Sequence, residues 1–183
     1  MRLSEVRIKN YRLLIDAKLD VDAKTTLIVG RNNTAKTSCS SCINTVLQGS
    51  DFSYNDYPLS KREGLHNLFL QFMEKKLSYE DLCKKIETIS IEFLVDYSLD
   101  DPDAKLGALS PFIIDVDVDT TTALICVEYQ LKTDENKLRE LFKDSCYSEG
   151  QFDPNAEEMH DVLVRNFTKL FGLTIYAVNP KNL

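Results

Sequence analysis

Gly30, Lys36 and Thr37 are the residues whose types and spacing carry an evident chemistry. They frame Gly30-Arg31-Asn32-Asn33-Thr34-Ala35-Lys36-Thr37, which follows the apolar run Leu27-Ile28-Val29 and leads into Ser38-Cys39-Ser40-Ser41-Cys42-Ile43. Gly30 lets the chain turn sharply off a strand. The backbone N–H groups that follow then point inward at an anion, aided by the positive end of the next helix dipole. Lys36 would reach β- and γ-phosphates, and the Thr37 hydroxyl would ligate Mg²⁺.

Ala35 breaks this pattern, because it stands where G-x-x-x-x-G-K-[ST] has its second glycine. If the backbone there takes a positive φ, the methyl group costs about 1 kcal/mol. The expected result is a weakened nucleotide site.

The elements that must hold the loop are legible on both sides. Residues 25–29 read as a buried strand. Cys39, Cys42, Ile43, Val46 and Leu47 recur at the spacing of one helical face. Upstream, Leu3, Val6 and Ile8, then Ile15, Ala17, Leu19 and Val21, alternate with polar residues on either side of Asn10-Tyr11-Arg12, so two antiparallel strands are expected. Asp22-Ala23-Lys24 is the expected turn into the third.

Composition bounds the function. The chain has 183 residues, 43% hydrophobic and 28% charged, enough for one core. No apolar run approaches the ~20 residues that span a bilayer, and the N-terminus has no signal-like apolar stretch, so a cytoplasmic protein without a membrane partner is expected. The five cysteines are expected to be thiols, with Cys39 and Cys42 packing as small hydrophobes rather than binding metal. The net charge of −7 argues against strong DNA binding by this chain alone. The charge is uneven, however: residues 1–36 carry +4 and the remainder −11.

Downstream, the 49–58 stretch is turn-rich and aromatic, with Phe52, Tyr54 and Tyr57. A helix is expected over 62–76, from Leu65, Leu68, Phe69, Phe72 and Met73, and Ser78 is placed to cap another carrying Leu82 and Ile86. Residues 89–97 alternate as a strand. Residues 112–119 and 122–132 read as a hairpin. Asp115, Asp117 and Asp119 share a face there, but Thr120 and Cys126 occupy the glycine and glutamate positions that a calcium loop requires. A solvated strand face is the expectation. Thr133 or Asp134 would cap a helix through Leu138, Leu141 and Phe142. Asp153-Pro154 would open the last helix, Gly172 would stop it, and residues 173–178 would form a final buried strand.

Ile8-Lys9-Asn10-Tyr11-Arg12, the amphipathic strand after it, and Ile28-Val29-Gly30-Arg31-Asn32-Asn33-Thr34 before Ala35-Lys36-Thr37-Ser38 resemble the start of an ABC-type ATPase of the RecF/SMC-like group. Within that group the chain most resembles the OLD (overcoming lysogenisation defect) ATP-dependent endonucleases, whose loops often read G-R-N-N-x-G-K-T-S. The terminal Tyr176-Ala177-Val178-Asn179-Pro180 also looks like a strand of that family's first ATPase lobe. The resemblance implies an α/β P-loop NTPase fold of the ABC/SMC-like type, a mixed sheet with an antiparallel N-terminal β-subdomain and flanking helices. It implies ATP and Mg²⁺ held by Gly30, Arg31, Asn32, Asn33, Thr34, Ala35, Lys36, Thr37 and Ser38, with Thr37 on the metal. Arg12 would lie near the nucleotide, or is a surface arginine. DNA, through the full-length protein, and a second copy of the ATPase domain are the implied partners.

Other parts of such a site have no counterpart here. After residue 37 no run of four apolar residues ends in Asp-Glu, and Ile113-Ile114-Asp115 is the nearest approach. No S-G-G-like signature occurs within these 183 residues, and the acidic nuclease module of the resembled family would be expected further downstream. Residues 1–183 are therefore expected to be the N-terminal lobe of a longer ATPase. The alternatives are the head of an SMC/RecF-type DNA repair ATPase or a degenerate P-loop scaffold.

Overall fold

The computed structural model describes residues 1–31, 34–97, 107, 109–114 and 121–180. Strands β1 (Arg2–Tyr11) and β2 (Leu14–Asp20) form the expected hairpin, pairing Val6 with Leu19 and Ile8 with Ala17. Helix α1 (Lys36–Leu47) follows, then a 3₁₀ turn at Tyr54–Asp56, α2 (Leu59–Met73) and α3 (Tyr79–Lys85). Next come β3 (Ile89–Asp96), β4 (Thr122–Leu131), α4 (Glu135–Cys146), a short ribbon of β5 (Tyr147–Ser148) and β6 (Gln151–Phe152), α5 (Ala156–Leu170) and β7 (Phe171–Val178).

The main sheet has the order β2-β1-β3-β4-β7, and every described pairing in it is antiparallel. Period-two burial in β3 selects its inward face: Ile89, Ile91, Phe93 and Val95 are buried while their neighbours are half-exposed. Val6 stands opposite Phe93, which stands opposite Ile125; Ile8, Ile91 and Val127 align in the same way. These side chains join Cys42 of α1, Leu65, Phe69 and Phe72 of α2, Leu138 and Phe142 of α4, and Met159, Leu163 and Phe167 of α5 in one core. The opposite sheet face carries ion pairs, with Lys18 reaching Glu5 at 2.5 Å and Lys9 reaching Glu92 at 3.4 Å, beside the buried Leu124 and Cys126.

The 49–58 stretch is part of this core. Phe52 lies 5.4 Å from the rings of both Tyr11 and Tyr129, and Tyr54 meets Phe167 edge-on at 5.6 Å. These contacts seat the aromatic stretch between β1, β4 and α5, an arrangement worth about 0.5–1.5 kcal/mol per ring pair beyond burial.

Several boundaries match their local signals. Ser78 accepts from the Asp81 N–H at 3.0 Å and opens α3, and Asp134 accepts from the Lys137 N–H at 3.0 Å and opens α4. The α5 cap differs from expectation. Asn155, not Asp153, accepts the Glu157 and Glu158 N–H groups, which leaves Pro154 outside the helix. Gly172 does not stop α5. The helix ends at Leu170, and Gly172 lies inside β7, where an added Cβ would fall 2.8 Å from Lys132 Cδ.

Three strand expectations are corrected. Residues 25–29 form no strand: Leu27 and Val29 are 79% and 77% exposed, because no described segment offers them a hydrogen-bonding partner. The sheet is accordingly antiparallel rather than mixed. β7 is not buried throughout. It is an edge strand, with Ile175 56% exposed. Of the expected 112–132 hairpin, β4 forms, but Phe112 lies in a 3₁₀ turn at Ser110–Phe112; Asp115, Asp117 and Asp119 lie outside the described residues.

Candidate nucleotide-binding site

Helix α1 sets the candidate loop. Its buried Cys42 and its part-buried Cys39, Ile43 and Val46 face the core, while Leu47, expected on that face, is 73% exposed at the helix end. The Tyr11 hydroxyl lies 3.1 Å from Ser41 Oγ and ties the middle of α1 to β1. Burial pushes the Cys42 thiol up to about 12, reinforced by Cys39 and Asp56, and burial also raises Cys39. Both are protonated at neutral pH, as thiols packed like small hydrophobes should be.

The N-terminus of α1 is bare. Ala35 is the N-cap residue, with φ 60° and ψ 13°, and among the described residues no side chain caps the first turn, which also carries no acidic residue. The first helical bond runs from the Cys39 N–H to the Ala35 carbonyl at 2.9 Å. The N–H groups of Lys36, Thr37 and Ser38 therefore come before any intrahelical partner and under the positive end of the dipole. A helix start normally draws Ser, Thr, Asp or Asn to cap it; here that acceptor is missing where a phosphate oxygen would serve.

Lys36 folds over this entrance. Its ammonium donates to the carbonyls of Gly30 and Arg31, the second at 2.5 Å, and Thr34 Oγ1 donates to the same Arg31 carbonyl at 2.7 Å. Gly30 suits this packing, since a Cβ built on it would lie 2.7 Å from Thr34 Oγ1 and displace it. Thr37 is exposed, Ser38 is buried, and Arg31 is exposed. Asn32 and Asn33 lie outside the described residues. Thr34, Ala35 and Lys36 line a hollow of about 170 Å³ with Ile28, Leu14, Leu19 and Cys39.

Arg12 is elsewhere. In the β1–β2 turn at φ 51°, it donates through Nε to Asp56 at 2.9 Å, and its own N–H donates to the Asp56 carbonyl at 2.7 Å. Asp56 is half-buried, which by itself would raise its pKa. The Ser53 N–H and hydroxyl and the Arg12 guanidinium outweigh that and hold the carboxyl below the ordinary carboxylate range. Arg12 lines a separate hollow of about 600 Å³ with Leu13, Ile15, Tyr57, Leu59 and Arg62. The described structure thus gathers Gly30, Thr34, Ala35 and Lys36 and leaves Arg12 bound to the 3₁₀ turn. Sequence reasoning missed this partner, although Ser53-x-x-Asp56 is itself a capping-box spacing.

The residues present fit a nucleotide phosphate: an uncapped helix start, an ammonium that donates to backbone carbonyls, and a hydroxyl at the next position. No helix among the described residues is long and apolar enough to cross a membrane. No curated protein matches the chain. The AAA ATPase domain family does, over residues 1–174.

Proposed function

This chain belongs to the AAA ATPase domain family, and from that we infer that its loop at residues 30–38 holds Mg-ATP. The observation that carries the reading is the bare N-terminus of α1 under the Lys36 ammonium. The N–H groups of residues 36–38 donate to phosphate oxygens, Lys36 leaves its carbonyls to neutralise phosphate charge, and Thr37 Oγ1 is the ligand offered to Mg²⁺. The bound Mg²⁺ would supply charge neutralisation across the phosphates. Arg31, Asn32, Asn33, Thr34 and Ser38 shape the loop; Arg12 acts on nucleotide only if it leaves Asp56.

The finer proposal is the ATP-binding lobe of an OLD-like, ATP-dependent DNA endonuclease, cytoplasmic, pairing with a second ATPase domain and meeting DNA through the full-length protein. The loop sequence supports it, as does the antiparallel N-terminal hairpin leading to the loop. Titration with a fluorescent ATP analogue tests the site: affinity lost in Lys36→Ala supports it, and affinity unchanged by that substitution removes it.

One observation favours a second reading, a degenerate scaffold. Ala35 sits at φ 60°, a conformation that glycine adopts freely and alanine resists. Ala35→Gly separates the two, since a large gain in affinity marks a decayed site and no gain marks a tolerated alanine.

A further inference from the structure

The chain contains two histidines, His66 and His160, 94 residues apart in sequence, and the fold brings them together. His66 lies on α2 and His160 on α5, with His160 Nδ1 3.1 Å from His66 Nε2 and ring centroids 5.1 Å apart at 30°. Tyr54 holds the His160 ring edge-on at 5.4 Å, and Arg62 covers the Tyr54 ring at 4.8 Å. The nucleotide loop uses neither histidine.

We propose that His66 and His160 are the two protein ligands of a divalent transition-metal site, of the Zn²⁺ and Ni²⁺ class, that clamps α2 to α5. Two imidazole nitrogens bound at ~2.0–2.1 Å to one tetrahedral ion are about 3.3 Å apart, close to the observed separation, and each ring must turn by about 35° to aim its nitrogen at an ion beside the N–N line. The ion takes the place of the proton now shared between the rings. Neutral imidazole suits this class of metal, whereas Mg²⁺ prefers oxygen. Glu63 and Glu157 each stand three residues before a histidine, on the same helical face and exposed to solvent. No group of three His, Cys, Asp or Glu ligands is assembled among the described residues, so water completes the shell.

Zn²⁺ titration of the full chain without nucleotide, with Mg²⁺ as the control, tests the site through calorimetry, Tm and the histidine ring resonances. One Zn²⁺ should bind, shift both histidines' ring signals and raise Tm by several degrees, while Mg²⁺ does neither. His66→Ala and His160→Ala should each weaken binding at least about tenfold. A loss in neither variant or in only one overturns the site, because it puts the ion on thiols or carboxylates. Ring signals in the native chain that stay unmoved at millimolar Zn²⁺ also overturn it, and that measurement does not depend on how the variants fold.

Discussion

The Lys36 ammonium lies 2.5 Å from the Arg31 carbonyl oxygen, so the loop's cation is held by the backbone it would leave for a phosphate. This bond fixes what removal of the charge does. Lys36→Ala should lower the affinity for Mg-ATP by about tenfold to a hundredfold, the range of a charge-assisted hydrogen bond. The Tm without nucleotide should change little. Fluorescent nucleotide titration and a thermal melt measure the two effects separately.

Ala35 carries the backbone strain of the site. Ala35→Gly should relieve about 1 kcal/mol of it, partly offset by the greater freedom of glycine in the unfolded chain. The expected result is a small rise in Tm together with tighter nucleotide binding. Ala35→Val should reverse both, since a β-branched side chain suits φ 60° worse still.

Gly30 tests the loop in the other direction. Gly30→Ala drives a methyl group onto Thr34 Oγ1, which must shift and break its bond to Arg31. The loop is exposed, so melting should change by less than about 1 kcal/mol, as surface changes do. Nucleotide affinity should fall clearly, and the contrast between melt and titration is the measurement.

Asp56 gives a pH dependence with a definite sign. Its folded pKa lies below the ordinary value of 3.8, so its contribution is present above that value and is lost as pH falls through the lowered folded pKa. Asp56→Asn should destabilise the protein by about 1–3 kcal/mol at neutral pH by weakening the Arg12 and Ser53 bonds. It should also flatten the acid side of the stability profile below about pH 4, followed by urea melts across that range.

The exposed 25–29 segment is tested by polarity. Leu27→Ser and Val29→Thr should shift stability by no more than about 0.5 kcal/mol, where the same changes in a buried strand would cost about 2–5 kcal/mol. Urea midpoints separate the two outcomes.

Local signals read well wherever a few neighbouring residues decide the result. The Arg12 turn between two alternating runs, the Ser78 and Asp134 caps and the unbroken alternation at Ile89–Asp96 all depend on residues close in sequence. What escaped depends on partners far away. Leu27-Ile28-Val29 has a strand's composition, yet a strand exists only where another strand meets it. The edge position of β7 likewise follows from sheet order, which its own residues do not encode. Asn155 displaced Asp153 as the α5 cap by being two residues nearer the first free N–H groups, a margin that residue type alone does not resolve. The Arg12–Asp56 and His66–His160 pairs join residues 44 and 94 positions apart, beyond any periodicity.

The strand formed first in the sequence does not lie at the sheet's margin. β1 is flanked by β2 on one side and β3 on the other, with Arg2 opposite Asp96. On a ribosome the opening residues must therefore wait, half-paired, until some ninety more have emerged. A long-range closure of this kind slows folding and leaves one apolar face of the early hairpin exposed in the meantime.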